Sequence, residues 1–264
     1  MKIHFYKYQA TGNDFVMIDN RSGDLSLSIE RIKSICDRRF GIGADGIMLI
    51  EKHPTAQFNL RYFNSDGSQS LCGNGSRAAV TMAASLGLVN GKARFEAYDG
   101  LHEAEIQPGG IVRLKMNNVT EVKKSGQDYF IHTGSPHFIR FVKDLKNYPV
   151  FEEGRKIRYS PEYLPGGTNV NFVEITSGNT IFVRTYERGV ENETYSCGTG
   201  VTAAALAASF HHLSSPVSVK TLGGDLKVEF KARHSDLSSG QSGTFEEIFL
   251  IGPAKLVFEG DLEL

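Results

Sequence analysis

Two short segments carry residue types that could do chemistry on a small molecule: Cys72-Gly73-Asn74-Gly75 and Cys197-Gly198-Thr199-Gly200. Each runs into an Ala-rich stretch, so each sulfur is expected at the mouth of a helix. There the unpaired N–H groups and aligned peptide dipoles make an electropositive end that favours thiolate over thiol and attracts a carboxylate. A cysteine titrates near a reference value of about 8.5, and such surroundings pull it downward. Two thiols facing each other across one carbon suit a reaction that needs one base and one acid. A single cysteine is more simply a buried core residue, and a redox pair that closes a disulfide in a binding module is the rival reading.

The two segments match beyond the sulfurs. Laid over each other they pair Cys72 with Cys197, Gly73 with Gly198, Gly75 with Gly200, Ala78 with Ala203, Ala79 with Ala204 and Ala83 with Ala208, and Leu101 and Leu226 follow at equal distance. This is the mark of a duplicated unit. The fold class expected is α+β: two pseudo-symmetric domains of largely antiparallel strands around a central helix, spanning 1–119 and 120–251.

The elements that must position these segments read as follows. Strands are expected at Ile3 to Tyr8 and Phe15 to Ile18, with Thr11-Gly12-Asn13-Asp14 as the loop between them. A helix over 28–39 places Ile29, Ile32, Ile35 and Cys36 on one face, which makes Cys36 a core thiol. Further strands fall at Gly46 to Glu51, Phe58 to Phe63, Ala93 to Tyr98, Leu101 to Ile106 and Ile111 to Met116. The first Ala-rich helix runs to about Leu86 and stops at Gly87. The second half offers strands at Tyr129 to Thr133, His137 to Phe141, Val170 to Ile175, Ile181 to Tyr186, Val217 to Thr221, Asp225 to Phe230, Phe245 to Ile251 and Leu256 to Glu259, and a helix to about Phe210. The Ser- and Gly-rich Ser235 to Gly243 reads as a hairpin tip.

Composition narrows the function. The 264 residues carry 29 Lys plus Arg against 30 Asp plus Glu, a formal net charge of -1 that offers nothing to a polyanion. Arg38-Arg39 and Lys123-Lys124 are too short for a nucleic-acid track, so no nucleic-acid partner is expected. The opening residues lack a signal peptide's apolar core and no window reaches membrane-span length, which makes the cytoplasm the expected compartment and excludes a membrane role. Three cysteines, none in a metal-binding spacing, imply neither a disulfide framework nor a metal site. Gly41-Ile42-Gly43-Ala44-Asp45-Gly46 follows a helix and lacks a phosphate-loop lysine, so it reads as a structural turn. His211-His212 suits the negative end of a helix, and His53 before Pro54 a surface loop.

Over nearly its full length the chain resembles the diaminopimelate epimerase family. The matching stretches are Thr11-Gly12-Asn13-Asp14-Phe15, Cys36 through Gly46, Phe63-Asn64-Ser65-Asp66-Gly67, Cys72 through Arg77, Gly167 through Phe172, Glu187-Arg188-Gly189 and Cys197 through Gly200. The resemblance implies interconversion of LL-2,6-diaminoheptanedioate and its meso form without cofactor or metal, in lysine and peptidoglycan-precursor synthesis. It also implies a homodimer, and a C-terminal strand (252–264) that returns to the first domain.

Carried onto this sequence, the resemblance makes Cys72 and Cys197 the acid/base pair. The backbone N–H groups of Gly73, Asn74, Gly198 and Thr199 would hold the reacting carboxylate. Asn13, Asn64, Asn169 and Arg188, with Glu187 beside them, would read the remote amino-acid end, where the planar guanidinium can donate two parallel bonds. Ser135 and His137 are candidate cleft residues. Ser135 departs from the family pattern, which has Asn there, and its hydroxyl lacks the amide's paired donor and acceptor. Proline racemases share the two-thiol logic but carry His where this chain has Asn74, and phenazine-type isomerases lack the paired cysteines.

Overall fold

A computed structural model describes residues 2–70, 72–233 and 243–263 of the chain. The hairpin tip expected over Ser235 to Gly243 lies outside the described residues except for Gly243. The chain divides into two compact units, Met1–Leu114 with Gly252–Leu264, and Lys115–Ile251.

The first unit contains strands β1 (Lys2–Ala10), β2 (Asn13–Asp19), β3 (Gly46–Glu51), β4 (Phe58–Asn64), β5 (Lys92–Ala97), β6 (Gly100–Gln107), β7 (Ile111–Lys115) and β17 (Lys255–Glu263), and helices α1 (Ile29–Cys36) and α2 (Gly73–Ser85). Its sheet runs β17-β1-β2-β3-β4-β5-β6-β7. The β2–β3 and β4–β5 neighbours are parallel and the rest antiparallel.

The second unit contains β8 (Val122–Ser125), β9 (Asp128–His132), β10 (Pro136–Phe141), β11 (Asn169–Ser177), β12 (Thr180–Glu187), β13 (Asn192–Thr194), β14 (Val217–Thr221), β15 (Gly224–Arg233) and β16 (Thr244–Pro253), with α3 (Val150–Arg158) and α4 (Gly198–Ala208). Its sheet runs β8-β9-β10-β11-β12-β14-β15-β16, with β10–β11 and β12–β14 parallel. Position by position this is the order and sense of the first sheet. The repeat seen around the cysteines therefore extends to the strand topology, and the α+β expectation of strands around a central helix holds in each unit.

Each sheet wraps a helix of small residues. Every residue of α4 is buried, and α2 is buried from Gly73 through Val80. A curling sheet closes on a helix only if the helix is thin, which Ala and Gly supply. At Gly75 an added Cβ would overlap the terminal methyl of Met48, the end of a flexible side chain, and at Gly200 the Asn171 amide oxygen. On the outer face of each sheet, α1 covers Val16, Ile18, Ile47, Leu49 and Phe63, while α3 lies by Val170, Phe172 and Tyr186.

Three local differences from expectation have identifiable causes. The β1–β2 connection is the two residues Thr11 and Gly12, both at positive φ (49° and 84°), which is the geometry whose twist suits a tight hairpin. Asn13 and Asp14 are consequently strand residues, with Asn13 opposite Ala10. Helix α1 ends at Cys36 rather than 39, because Asp37 Oδ1 accepts the N–H groups of Arg39 and Phe40, both at 2.7 Å, and turns the chain. Helix α3 went unforeseen because it buries only Val150 and Gly154, too thin a stripe to show as a period.

Candidate active site

In the first unit, Cys72 is the N-cap of α2, with extended backbone (φ -129°, ψ 106°). Its sulfur accepts the Gly75 N–H at 3.4 Å and donates to Asn13 Oδ1 at 3.4 Å. The β1–β2 turn delivers Asn13, and Asn13 Nδ2 donates to Asp45 Oδ2 at 2.5 Å. Behind it lies a four-membered charge network. Asp14 pairs with Lys7 at 2.7 Å and with Arg38 at 2.7 Å, and Arg38 reaches Asp45 at 2.7 Å. Burial pushes the Asp14 carboxyl upward, but the bonds from Arg38 and Lys7 outweigh it and hold the group at about 2. Asn64, at the end of β4, spends its amide N–H groups on Ser68 O, Ser68 Oγ and Ser70 Oγ, and so shapes the loop that leads to Cys72.

In the second unit Cys197 is likewise the N-cap of its helix (φ -115°, ψ 110°), and it is buried. Its sulfur lies 3.5 Å from Thr199 Oγ1. That hydroxyl is 2.9 Å from His137 Nε2 and 3.1 Å from Ser135 Oγ, while Thr133 donates to the Thr199 carbonyl. Asn171 Nδ2 also donates to the Phe138 carbonyl, which fixes its amide orientation, so His137 Nδ1 accepts from Asn171 at 3.1 Å. The neutral imidazole therefore carries its proton on Nε2, facing the Ser135 and Thr199 hydroxyls. Burial, followed by the positive charges of His132 and Arg188, pulls His137 down to about 3, and the ring is neutral at neutral pH.

Asn169 ties the remaining residues together. Its Nδ2 donates to Ser135 Oγ and Pro136 O, and its Oδ1 accepts the Arg188 N–H at 2.9 Å. Arg188 Nη1 donates to Gly166 O at 3.3 Å, and Glu187 Oε2 accepts from Thr194 Oγ1 at 2.8 Å.

The structure thus brings Asn13, Gly73 and Asn74 to Cys72, with Asn64 at the start of the approaching loop. In the second unit Thr199 lies at Cys197, Ser135 and His137 at Thr199, Asn169 at Ser135, and the Arg188 backbone N–H at Asn169. His137 has no exposed surface, and its Nε2 meets the Thr199 hydroxyl that lies by the sulfur. The Ser135 hydroxyl lies within hydrogen-bond distance of His137, Thr199 and Asn169.

Sequence reasoning missed Arg77, Asn171 and Asp45. Arg77 and Asn171 carried a signal, since Arg77 is a charged residue at the start of the Ala-rich helix and Asn171 a polar residue between Val170 and Phe172. His211, expected as a favourable helix-end cation, is instead lowered by burial and by Lys124, which disfavours its charged form. His53 Nδ1 accepts the Thr55 and Ala56 N–H groups and closes its own turn.

Comparison with known proteins gives a consistent picture. A family model described as diaminopimelate epimerase matches residues 5–122 and 129–248. The diaminopimelate epimerase of Flavobacterium psychrophilum is 47% identical over 258 residues, covering 96% of this chain and 98% of that protein. That of Aquifex aeolicus is 40% identical over 283 residues, covering 98% of each. Among solved structures, a phenazine biosynthesis protein of the PhzF family from Bacillus anthracis superposes with a TM-score of 0.72 at 15% identity, covering 100% of both chains. A probable proline racemase from Agrobacterium radiobacter superposes with a TM-score of 0.69 at 16% identity, covering 99% of this chain and 93% of that one. These structural likenesses bear on the fold alone.

Proposed function

The chain belongs to the diaminopimelate epimerase family, and on that premise we propose that Cys72 and Cys197 exchange one proton each with the α-carbon of diaminopimelate. The enzyme is an isomerase that interconverts the LL and meso forms. In the proposed cycle one cysteine, as thiolate, removes the α-proton and becomes a thiol. The other thiol delivers a proton to the opposite face of the carbon and becomes the thiolate. Protons and charge balance, and no electron leaves the substrate. The observation that carries the reading is that a cysteine caps the central helix at the same place in both repeats.

The helix mouths supply the second requirement of the chemistry. As the α-proton leaves, charge spreads onto the substrate carboxylate. The first-turn N–H groups of Gly73, Asn74, Gly198 and Thr199 are the donors suited to stabilise it. At the remote end Arg188 would take the distal carboxylate, with Asn169 holding its backbone, while Asn13, Asn64 and Glu187 complete recognition of the amino-acid group.

We assign the enzyme to the cytoplasm and to a homodimer. Support for the dimer is β17, which exposes Leu256, Val257 and Phe258 by about half. Sedimentation at micromolar concentration would read a single-chain mass if the dimer assignment were wrong.

The function is tested by incubating reduced protein with LL-diaminopimelate in heavy water. Meso product should form with one deuterium per turnover at one α-carbon. Cys72→Ala and Cys197→Ala should each abolish turnover in a folded protein. Folded, ligand-binding protein that incorporates no deuterium under reducing conditions would refute the reading.

A further inference from the structure

The turn that carries Arg188 is shaped by a carboxylate within it. Glu187 O accepts the Glu191 N–H at 2.8 Å, which closes the connection between β12 and β13. Glu191 stands at φ 57°, in the left-handed region where glycine is the default and a β-carbon is disfavoured. A glutamate held there is sustained by what its side chain does. Both of its carboxylate oxygens are engaged. Oε1 accepts from Arg158 Nε at 3.1 Å, from Arg158 Nη2 at 2.9 Å and from the Gly189 N–H at 3.0 Å. Oε2 accepts from the Tyr159 hydroxyl at 2.9 Å and the Tyr186 hydroxyl at 3.3 Å. Burial pushes the carboxyl upward, but the bonds from Gly189, Tyr159 and Arg158 outweigh it, so the group is ionised at neutral pH.

These donors are fixed by α3, of which Arg158 is the last residue and Tyr159 the C-cap. The helix lies so close to β12 that a Cβ at Gly154 would run into the Tyr186 side chain. The Arg158 guanidinium also packs against the Gly166-Gly167 segment, since a Cβ at Gly167 would overlap its Nη1. Gly166 O is the acceptor of Arg188 Nη1. The Arg158–Glu191 ion pair, at 2.9 Å, therefore joins the two segments that meet Arg188: the turn that carries its backbone and the segment that meets its guanidinium. Within that turn Gly189 is exposed and Val190 is 56% exposed, so apolar burial does little to fix its shape. Polar contacts are left to do so, from Asn169 to the Arg188 N–H and from Glu191 to the Gly189 N–H.

We propose that Glu191 is a positioning residue whose carboxylate, braced by α3, sets the 187–191 turn and so aims the Arg188 guanidinium at the distal carboxylate of the substrate. The proposal rests on the assignment of Arg188 to that carboxylate made above. A guanidinium that donates two parallel bonds must meet the carboxylate in one plane. Arg188 does this from a long, rotamer-rich side chain, so a slack turn lowers affinity before it touches the chemistry at the α-carbon.

The test compares substrate binding with and without Arg188. Affinity for LL-diaminopimelate is measured by calorimetry on the reduced full chain in a Cys197→Ala background, where no turnover obscures binding, and KM and kcat are measured with both cysteines in place. Arg188→Ala should weaken binding about a hundredfold. Glu191→Gly relieves the disfavoured backbone and removes the carboxylate; it should weaken binding about tenfold and raise KM more than it lowers kcat. Added to Arg188→Ala, Glu191→Gly should change affinity by less than about twofold. An equal loss in both backgrounds would mean that Glu191 acts on the fold and not through Arg188, and wild-type affinity in Glu191→Gly would mean that it does not set the turn; either result overturns the proposal. Should Glu191→Gly fail to fold, Glu191→Gln, which keeps the length of the side chain and gives up its charge, is judged by the same comparison at about threefold. An Arg188→Ala variant that binds as tightly as its parent would overturn this proposal together with the distal assignment. The expected binding pattern in a protein that exchanges no deuterium would sink the two-cysteine reading and spare this one.

Discussion

Adding one methyl group to each central helix should have very unequal effects. At Gly200 the new Cβ would overlap Asn171 Oδ1 and crowd His137 Cε1. Asn171 cannot step aside cheaply, because its amide accepts from Thr185 at 2.9 Å and donates to Phe138 O and to His137. Overpacking costs about 1–3 kcal/mol, and each buried bond left unmade adds about 1–3 kcal/mol. The gain from replacing helical Gly with Ala is about 1 kcal/mol, so Gly200→Ala should lose about 2–4 kcal/mol. At Gly75 the obstacle is the terminal methyl of Met48, the end of an unbranched side chain that can change rotamer for about 1 kcal/mol. The helix gain roughly offsets that, and Gly75→Ala should stay within about 1 kcal/mol of wild type. Calorimetric melts under reducing conditions should then show Gly200→Ala lowered by about 5–15 °C, at about 2–4 °C per kcal/mol for a chain of this size, and Gly75→Ala nearly unmoved. Equal shifts, or a larger loss at Gly75, would refute the argument that the Asn171–His137–Thr185 network is what rigidly fills the space beside α4.

Two further outcomes follow from the titrating groups. His137 is held near 3 in the fold and titrates near 6.5 when unfolded, so below pH 6.5 the unfolded chain gains a proton that the fold refuses. The stability this neutral ring permits is complete above pH 6.5 and falls with pH, by about 2 kcal/mol at pH 5. Urea unfolding at pH 7.5, 6 and 5 should show that slope, flattened in His137→Gln. Asp14, held at about 2 against an unfolded value of 3.8, contributes stability that is present above pH 3.8 and lost as pH falls toward 2. Asp14→Asn should cost about 2–4 kcal/mol at pH 7, because Lys7, with a side chain only 8% exposed, is left without its carboxylate. A urea midpoint equal to wild type would show that Arg38 and Asp45 hold the network without it.

Much of the architecture was legible because the repeat betrays itself locally. A cysteine, two glycines and spaced alanines recur, and the helix caps appear where those residues predict them. The strands were readable where apolar and polar residues alternate and where a short apolar run stands between turn residues, as in β3, whose bounds match expectation. Polar strands such as β8 (Val122–Ser125) and β13 (Asn192–Thr194) escaped because they are short pairs at sheet margins with little to bury. The support of the site was harder to foresee. That Asn169 spends its amide on Ser135, Pro136 and Arg188, or that Ser135 closes a knot with His137 and Thr199, depends on β10 and β11 lying in parallel with His137 opposite Asn169. No spacing along the chain encodes that register.

The repeat also explains why its halves differ below the helix mouths. Two copies of one unit would present equivalent thiols, and equivalent thiols suit a racemase, whose substrates are mirror images with equal energies in water. A diaminopimelate epimerase acts on a molecule with a second stereocentre, so its LL and meso forms are diastereomers and the two directions of proton transfer are not equivalent. Nothing then requires the two half-sites to match. The first-turn contact survives in both, from Arg77 to Gly73 O and from Thr202 to Gly198 O, which ties down the first turn of each central helix. What diverges is the residue that makes this contact, a buried guanidinium in the first unit and a hydroxyl in the second.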